Sequence, residues 1–237
     1  MSVRDRIFGS FCLVVAVVAI IVALACPTVS NDCINRYAPM AEAFAEGNWQ
    51  ESFHPRFGFL FQVLTGAAVF VTGLRGDAAC SLVGVVGWLL CMIPLYLVVR
   101  HVFDERTAKA VVVLYVVAPT PFAWALRGLR ESYRLLGSLL MIWGVMRCSA
   151  KMRGGLAAAA AGALVLAGIR ADTMAVAGVL SLAYAIADRF RLRTWVLFAW
   201  LALALQPSCL LVWRWTGWWI PASQYIPVIE KLGRMMQ

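Results

Sequence analysis

Charge is what this sequence has least of. Of its 237 residues only 14% are Asp, Glu, Lys or Arg, and two are histidine. A soluble domain is about a quarter charged and about half apolar. Here 62% of the residues are hydrophobic and the mean hydropathy is +0.80. That shortage excludes a disordered chain, a nucleic-acid-binding arm and an ordinary soluble enzyme. Cysteine motifs are missing as well. The seven cysteines are scattered, mostly inside apolar runs, and no Cys-x-x-Cys pair occurs. Neither a zinc site nor a disulfide framework follows, and only Cys26 and Cys33 stand out as a candidate pair. P-loop, Gly-rich dinucleotide, HExxH and GxSxG motifs are all lacking, so nothing points to a nucleotide-sugar or ATP site.

What the sequence has in quantity is apolar runs. A helix needs about 20 apolar residues to cross the hydrocarbon core. Residues 7–26 meet that length without a charge, behind Arg4 and Arg6. The Ala-Leu-Ala at 23–25 also resembles a signal-peptidase site, although the run is long for a signal peptide. Further apolar spans cover 82–99, 110–125, 135–146, 156–169, 174–187 and 195–213. Residues 57–74 are ambiguous, because Gln62, Thr65, Gly66, Thr72 and Gly73 interrupt them.

The net charge of +9 then becomes a topology signal. Basic turns lie at 100–109, 147–153 and 188–193. If 57–74 does not cross, all three share the cytoplasmic side with the N-terminus; if it crosses, all three fall outside. The positive-inside bias favours the first arrangement, with 57–74 re-entrant or interfacial. The expected fold is an all-α, polytopic transmembrane helical bundle of about seven to eight spans with an outer juxtamembrane helix. Its parts are a first helix (1–26), an outer segment (27–81), the bundle proper (82–213) and an aromatic, basic tail (214–237). Residues 154–168 are rich in small side chains suited to close helix packing. Asp104, Glu105 and Arg106 read as a solvated turn, and Trp213, Trp215, Trp218 and Trp219 as an interfacial belt.

A second set of charges falls on the outer face: Asp32, Arg36, Glu42, Glu46, Glu51, His54, Arg56, Arg75, Asp77, Arg127, Arg130, Glu131, Arg134, Arg170 and Asp172. Orientation does not account for so many outer arginines. Charges near a bilayer are expensive, which invites a functional reading; snorkelling to water is the plainer one. Tyr37, Met40, Ala41, Phe44 and Ala45 recur at helical spacing with Glu42 and Glu46 opposite. That pattern predicts a short amphipathic helix along the membrane surface, stopped at Gly47. By itself, Asn31 or Asp32 reads as the cap of this helix. Glu131 reads equally as a partner of Arg127 or Arg134, Asp172 as a helix cap, and His54 as an interfacial histidine beside a turn proline.

The order of features carries a resemblance. One apolar span is followed by Asp32, Tyr37-x-x-x-Ala41, Gly47-Asn48-Trp49, His54-Pro55 and an apolar segment ending Thr72-Gly73-Leu74. Leu95-Tyr96, the turn at 100–108, Pro119, the stretch at 126–133 and Gly168-Ile169-Arg170-Ala171-Asp172 continue it. This resembles GT-C-type glycosyltransferases, in particular the N-terminal module of protein O-mannosyltransferases and bacterial lipid A aminoarabinose transferases. Cys33 stands where members often carry Glu, and Arg56 where many carry a second proline. Members are also longer, so on this resemblance the chain is either a truncated product or one that needs a partner chain to complete the short fold.

The resemblance implies an integral, multi-pass glycosyltransferase of a bacterial plasma membrane with a cytoplasmic N-terminus. It implies a polyprenyl-phosphate sugar donor, a glycan, lipid or protein acceptor, membrane lipids as surroundings and no nucleic acid. Asp32 is then the catalytic base and Glu131 the second acid. Arg127, Arg130, Arg170, Arg56 and His54 would hold the donor phosphate. No metal ligand set is implied and no cofactor is certain, although Asp32 and Glu131 are able to share a divalent cation. The alternative is a non-enzymatic membrane protein: a transporter, a flippase-like carrier or an inactive module of the enzyme.

Overall fold

The computed structural model describes residues 3–27, 30–53, 59–150 and 152–169. All regular structure among them is helical. The elements are α1 (Val3–Ala25), a π-helical turn (Cys33–Tyr37) running into α2 (Ala38–Ala45), α3 (Trp49–Ser52), α4 (Phe59–Thr72), α5 (Gly76–Val102), α6 (Glu105–Val117), α7 (Pro119–Leu126), α8 (Glu131–Ser149) and α9 (Gly155–Ile169).

Two of these helices, α1 and α5, are long and apolar enough to cross a membrane. A third candidate is α6 with α7, which the sequence presents as one run but which bends by 53°. The cause is Pro119. It disfavours helical backbone in the residue before it, and Ala118 is accordingly extended at φ −66° and ψ 122°. Pro94, in contrast, sits inside α5 without ending it. Helices α4 and α9 are apolar but shorter, at 14 and 15 residues. The expected spans at 174–187 and 195–213 lie outside the described residues, as do the turn at 188–193 and the tryptophan belt.

Helix α5 is the axis against which α1, α2, α4, α6, α7 and α8 pack, while α9 packs on α8 and α4. The small residues of α5 decide who approaches. Gly76 lies on the backbone of Ala38, Gly84 on the backbone of Ala125 in α7, and Gly87 on the ring of Tyr133 in α8. A side chain at any of these positions would collide with its neighbour, so the interfaces depend on glycine. Helix α1 meets α5 through the small residues Ala19 and Ala23, which are buried with Val85, Trp88 and Ala125. The opposite face of α1 (Leu13, Val14, Val17, Ile21) is exposed. Between α8 and α9 the approach is closest: Gly137, Gly144, Gly155 and Gly162 each lie against the backbone of the opposite helix.

The bundle has two chemically different ends. At one, Asp5 at the start of α1 meets Lys109 of α6, which also pairs with Glu105. The last turn of α5, with Arg100 over the ring of Tyr96, belongs to this end, because Tyr96 packs on Phe8. Asp104 is more than a solvated turn residue. Its carboxylate accepts the Thr107 N–H at 2.8 Å and caps α6. The Thr107 hydroxyl, together with this N–H, holds the carboxyl below its ordinary range. The turn after α8 is closed by Arg147, which donates to the Arg153 carbonyl and lies 4.8 Å over the Trp143 ring.

At the other end, α2 does not lie free along a surface. Its face packs on α4 through Tyr37–Phe61, Met40–Gln62 and Phe44–Gly66 contacts. Glu42 reaches across to cap α5, accepting the Gly76 N–H at 2.8 Å. Phe61, near the start of α4, touches Tyr37, and Gly76, just past its end, touches Ala38. The start of α4 and the start of α5 therefore both meet the chain at Tyr37–Ala38.

Candidate functional site

The charged end of the bundle is built by two segments that the sequence keeps far apart. The first is Ser30 to Tyr37. Ser30 begins its helix: its Oγ accepts the Cys33 N–H at 3.1 Å, and its carbonyl accepts the Ile34 N–H at 3.0 Å. This is the capping role that sequence assigned to Asn31 or Asp32, and it leaves the Asp32 side chain without one. The second segment is the turn from Arg127 to Glu131. Its carbonyl at Arg127 accepts the Ser30 N–H at 3.2 Å, which ties the two segments together. Gly128, at φ +66°, takes a left-handed conformation that suits glycine and lies directly on Cys33 and Cys80. Below it, the Ser81 hydroxyl donates to the Leu126 carbonyl at 2.6 Å, satisfying the end of α7.

Tyr37 is the centre of the arrangement. It is buried, its ring centroid 5.3 Å from that of Phe61 in an edge-to-face arrangement. The Arg130 guanidinium lies over it, Cζ 6.0 Å from the ring centroid. Asp32, Arg36, Arg130 and Glu131 all act electrostatically on the Tyr37 hydroxyl. Burial is the largest influence and pushes that phenol above its ordinary value; the nearby arginines pull the other way. Sequence reading took Tyr37 only as an apolar contact and a family motif. The π-helical turn just before α2 is the kind of local widening often found at functional positions.

The individual candidates fare differently. Arg130 is only 7% exposed, and its Nη1 donates to the carbonyl of Ile169, the last described residue of α9, at 3.5 Å. Asp32 is exposed and lies 3.3 Å from Arg36, four residues on. Glu131 is partly exposed and lies 3.8 Å from Arg134, so the helical pairing anticipated for it exists. Arg127 is exposed on the turn. Asp32, Arg130 and Glu131 are thus brought together around Tyr37. His54, Arg56, Arg170 and Asp172 lie outside the described residues. Among the described residues no three His, Cys, Asp or Glu side chains gather as a metal site would require.

The suggested Cys26–Cys33 pair does not form. Cys26 is exposed after the end of α1, whereas Cys33 is fully buried with Cys80 of α5. Helical geometry accounts for this: Ser30 starts a new helix, which turns Cys33 inward.

No protein-family model, curated protein or solved structure matches this chain. A functional reading therefore rests on the residues and their arrangement.

Proposed function

We propose that this chain is a multi-pass integral membrane glycosyltransferase module that moves a sugar from a polyprenyl-phosphate donor to an acceptor outside the cytoplasm. The observation that carries the reading is the buried Arg130, held over Tyr37 with Asp32, Arg36 and Glu131 around it at one end of an apolar bundle. A buried guanidinium with acids beside it suits an anionic lipid headgroup, because Arg binds phosphate oxygens in a fork. The two described basic turns, at 100–109 and 147–153, gather at the opposite end with the start of α1, and the positive-inside bias then favours the Asp32 end outside. Residues 174–187 and 195–213 would complete about seven spans.

The reaction is a displacement at the anomeric carbon. The acceptor oxygen attacks, the bond from the sugar to the phosphate breaks, and the phosphate leaves with the electron pair. The acceptor proton passes to a carboxylate, for which the exposed Asp32 is the candidate. Arg130, with Arg127, Arg56, Arg170 and His54 as further candidates, would offset the charge that grows on the phosphate. Glu131 is the second acid, and a divalent cation between it and Asp32 fits the same chemistry.

A non-catalytic membrane protein is the second reading. It is favoured by one observation: Asp32 and Glu131 each have an arginine partner on their own helix. The two readings separate on Asp32→Asn, assayed with purified protein and labelled polyprenyl-phosphate sugar. The transferase reading expects turnover to fall by about 10²-fold or more, with insertion and expression unchanged. Wild-type protein that neither binds the donor nor transfers sugar would establish the second reading.

A further inference from the structure

We infer that Cys33 and Cys80 are a disulfide-forming pair that pins the outer helix to α5. This rests on the proposed orientation but not on the transferase chemistry. Both side chains are fully buried and belong to one apolar cluster with Tyr37 and Phe61. The structure holds them as free thiols, within hydrogen-bonding reach of each other. A single point marks how close they are: a methyl group placed on Gly128 would lie 2.8 Å from Cys33 Sγ and 2.9 Å from Cys80 Cβ. Only a glycine at that turn leaves room for the two to meet. The other cysteines are less suited. Cys26 is exposed, and Cys91 is engaged with the Ser132 carbonyl farther along α5.

Position gives the pair its chemistry. It lies at the end of the bundle away from the basic turns, which the orientation places in an oxidising compartment. An external disulfide, on a protein or a small molecule, is the oxidant. One cysteine thiolate attacks it and releases a thiol; the second cysteine then displaces the other thiol and closes the Cys33–Cys80 bond. Two protein thiols lose two electrons and two protons, and the external disulfide becomes two thiols. Because both sulfurs are buried in the docked form, exchange precedes docking of the 30–37 segment, and burial afterwards shields the bond from reductant. The bond would fix Asp32, the neighbouring residue, against α5.

The test uses full-length protein in membranes, acid-quenched and labelled under denaturing conditions with a polyethylene-glycol maleimide, with and without prior reduction. Of the seven cysteines, two should label only after reduction, and peptide mapping should join Cys33 to Cys80. Cys33→Ser and Cys80→Ser should each free the remaining partner for labelling, while Cys26→Ser should leave the cross-link intact. The wild-type map stands alone if those variants do not accumulate. A reporter inserted at Gly47 reads the side of the membrane in parallel. Full labelling without reduction with the reporter outside overturns the pair itself. Full labelling with the reporter inside overturns it through the orientation. A cross-link mapped to Cys26 overturns the assignment as well.

Discussion

The two ends of the bundle handle charge in opposite ways. At the basic end the charged groups are partly exposed and pair with one another or with nearby backbone. Lys109 sits between Asp5 and Glu105, Asp104 caps its own helix, and Arg147 closes its own turn. At the other end Arg130 is buried, and two other elements reach it, through the Tyr37 ring and the Ile169 carbonyl. Charges of the first kind cost little and suffice to orient a chain. A charge of the second kind must overcome desolvation, and a fold keeps one only where its neighbours compensate it or where it is used. The contrast is the ground for placing the proposed site at the Arg130 end, without reference to any motif.

The contrast can be broken most severely at Arg130. On the transferase reading, Arg130→Met removes a preorganised cation, and turnover should fall by about 10²–10³-fold. Lys109→Met at the other end should leave turnover near wild type. Equal losses in the two variants, measured in the same donor assay, would erase the distinction. Glu42→Ala comes next. It strips the cap from α5 and should cost about 1 kcal/mol, read as a lower unfolding midpoint in detergent, whereas Glu42→Gln should retain most of the bond. The smallest effect belongs to Asp104. Its carboxyl is held below the ordinary range by the Thr107 bonds. The sign follows: that contribution is complete above the ordinary carboxylate range, about 4, and is lost as pH falls through the lowered folded value. Asp104→Asn keeps a capping oxygen but does not titrate. Its melting temperature should therefore depend less on pH in the acid range than that of wild type.

Much of the fold was legible because membrane helices announce themselves locally. The run at 7–26, the long α5, the basic turns and the small residues of α9 all follow from composition and periodicity. Asp32, Arg130 and Glu131 were legible as misplaced charges, and they do converge. What escaped depends on contacts between distant residues. Nothing local says that Gly76 must admit the Ala38 backbone, that Glu42 caps a different helix, or that Cys33 faces Cys80 rather than Cys26. Two misses had a usable signal. Ser30 stands three residues before the first buried helical position, a capping spacing, and Pro119 marks the point where one apolar run becomes two helices.

The glycine contacts between α8 and α9 bear on the order in which this chain assembles. Those helices adjoin in sequence, are joined by a short turn, and touch backbone to backbone along their length. Closing such a hairpin sacrifices little chain entropy, so it forms early. The Ser30–Arg127 bond lies at the other extreme, because it joins segments separated by α2, α3, α4, α5 and the bent α6–α7 pair. Seating the Asp32 segment is accordingly a late event, completed only when most of the bundle already stands.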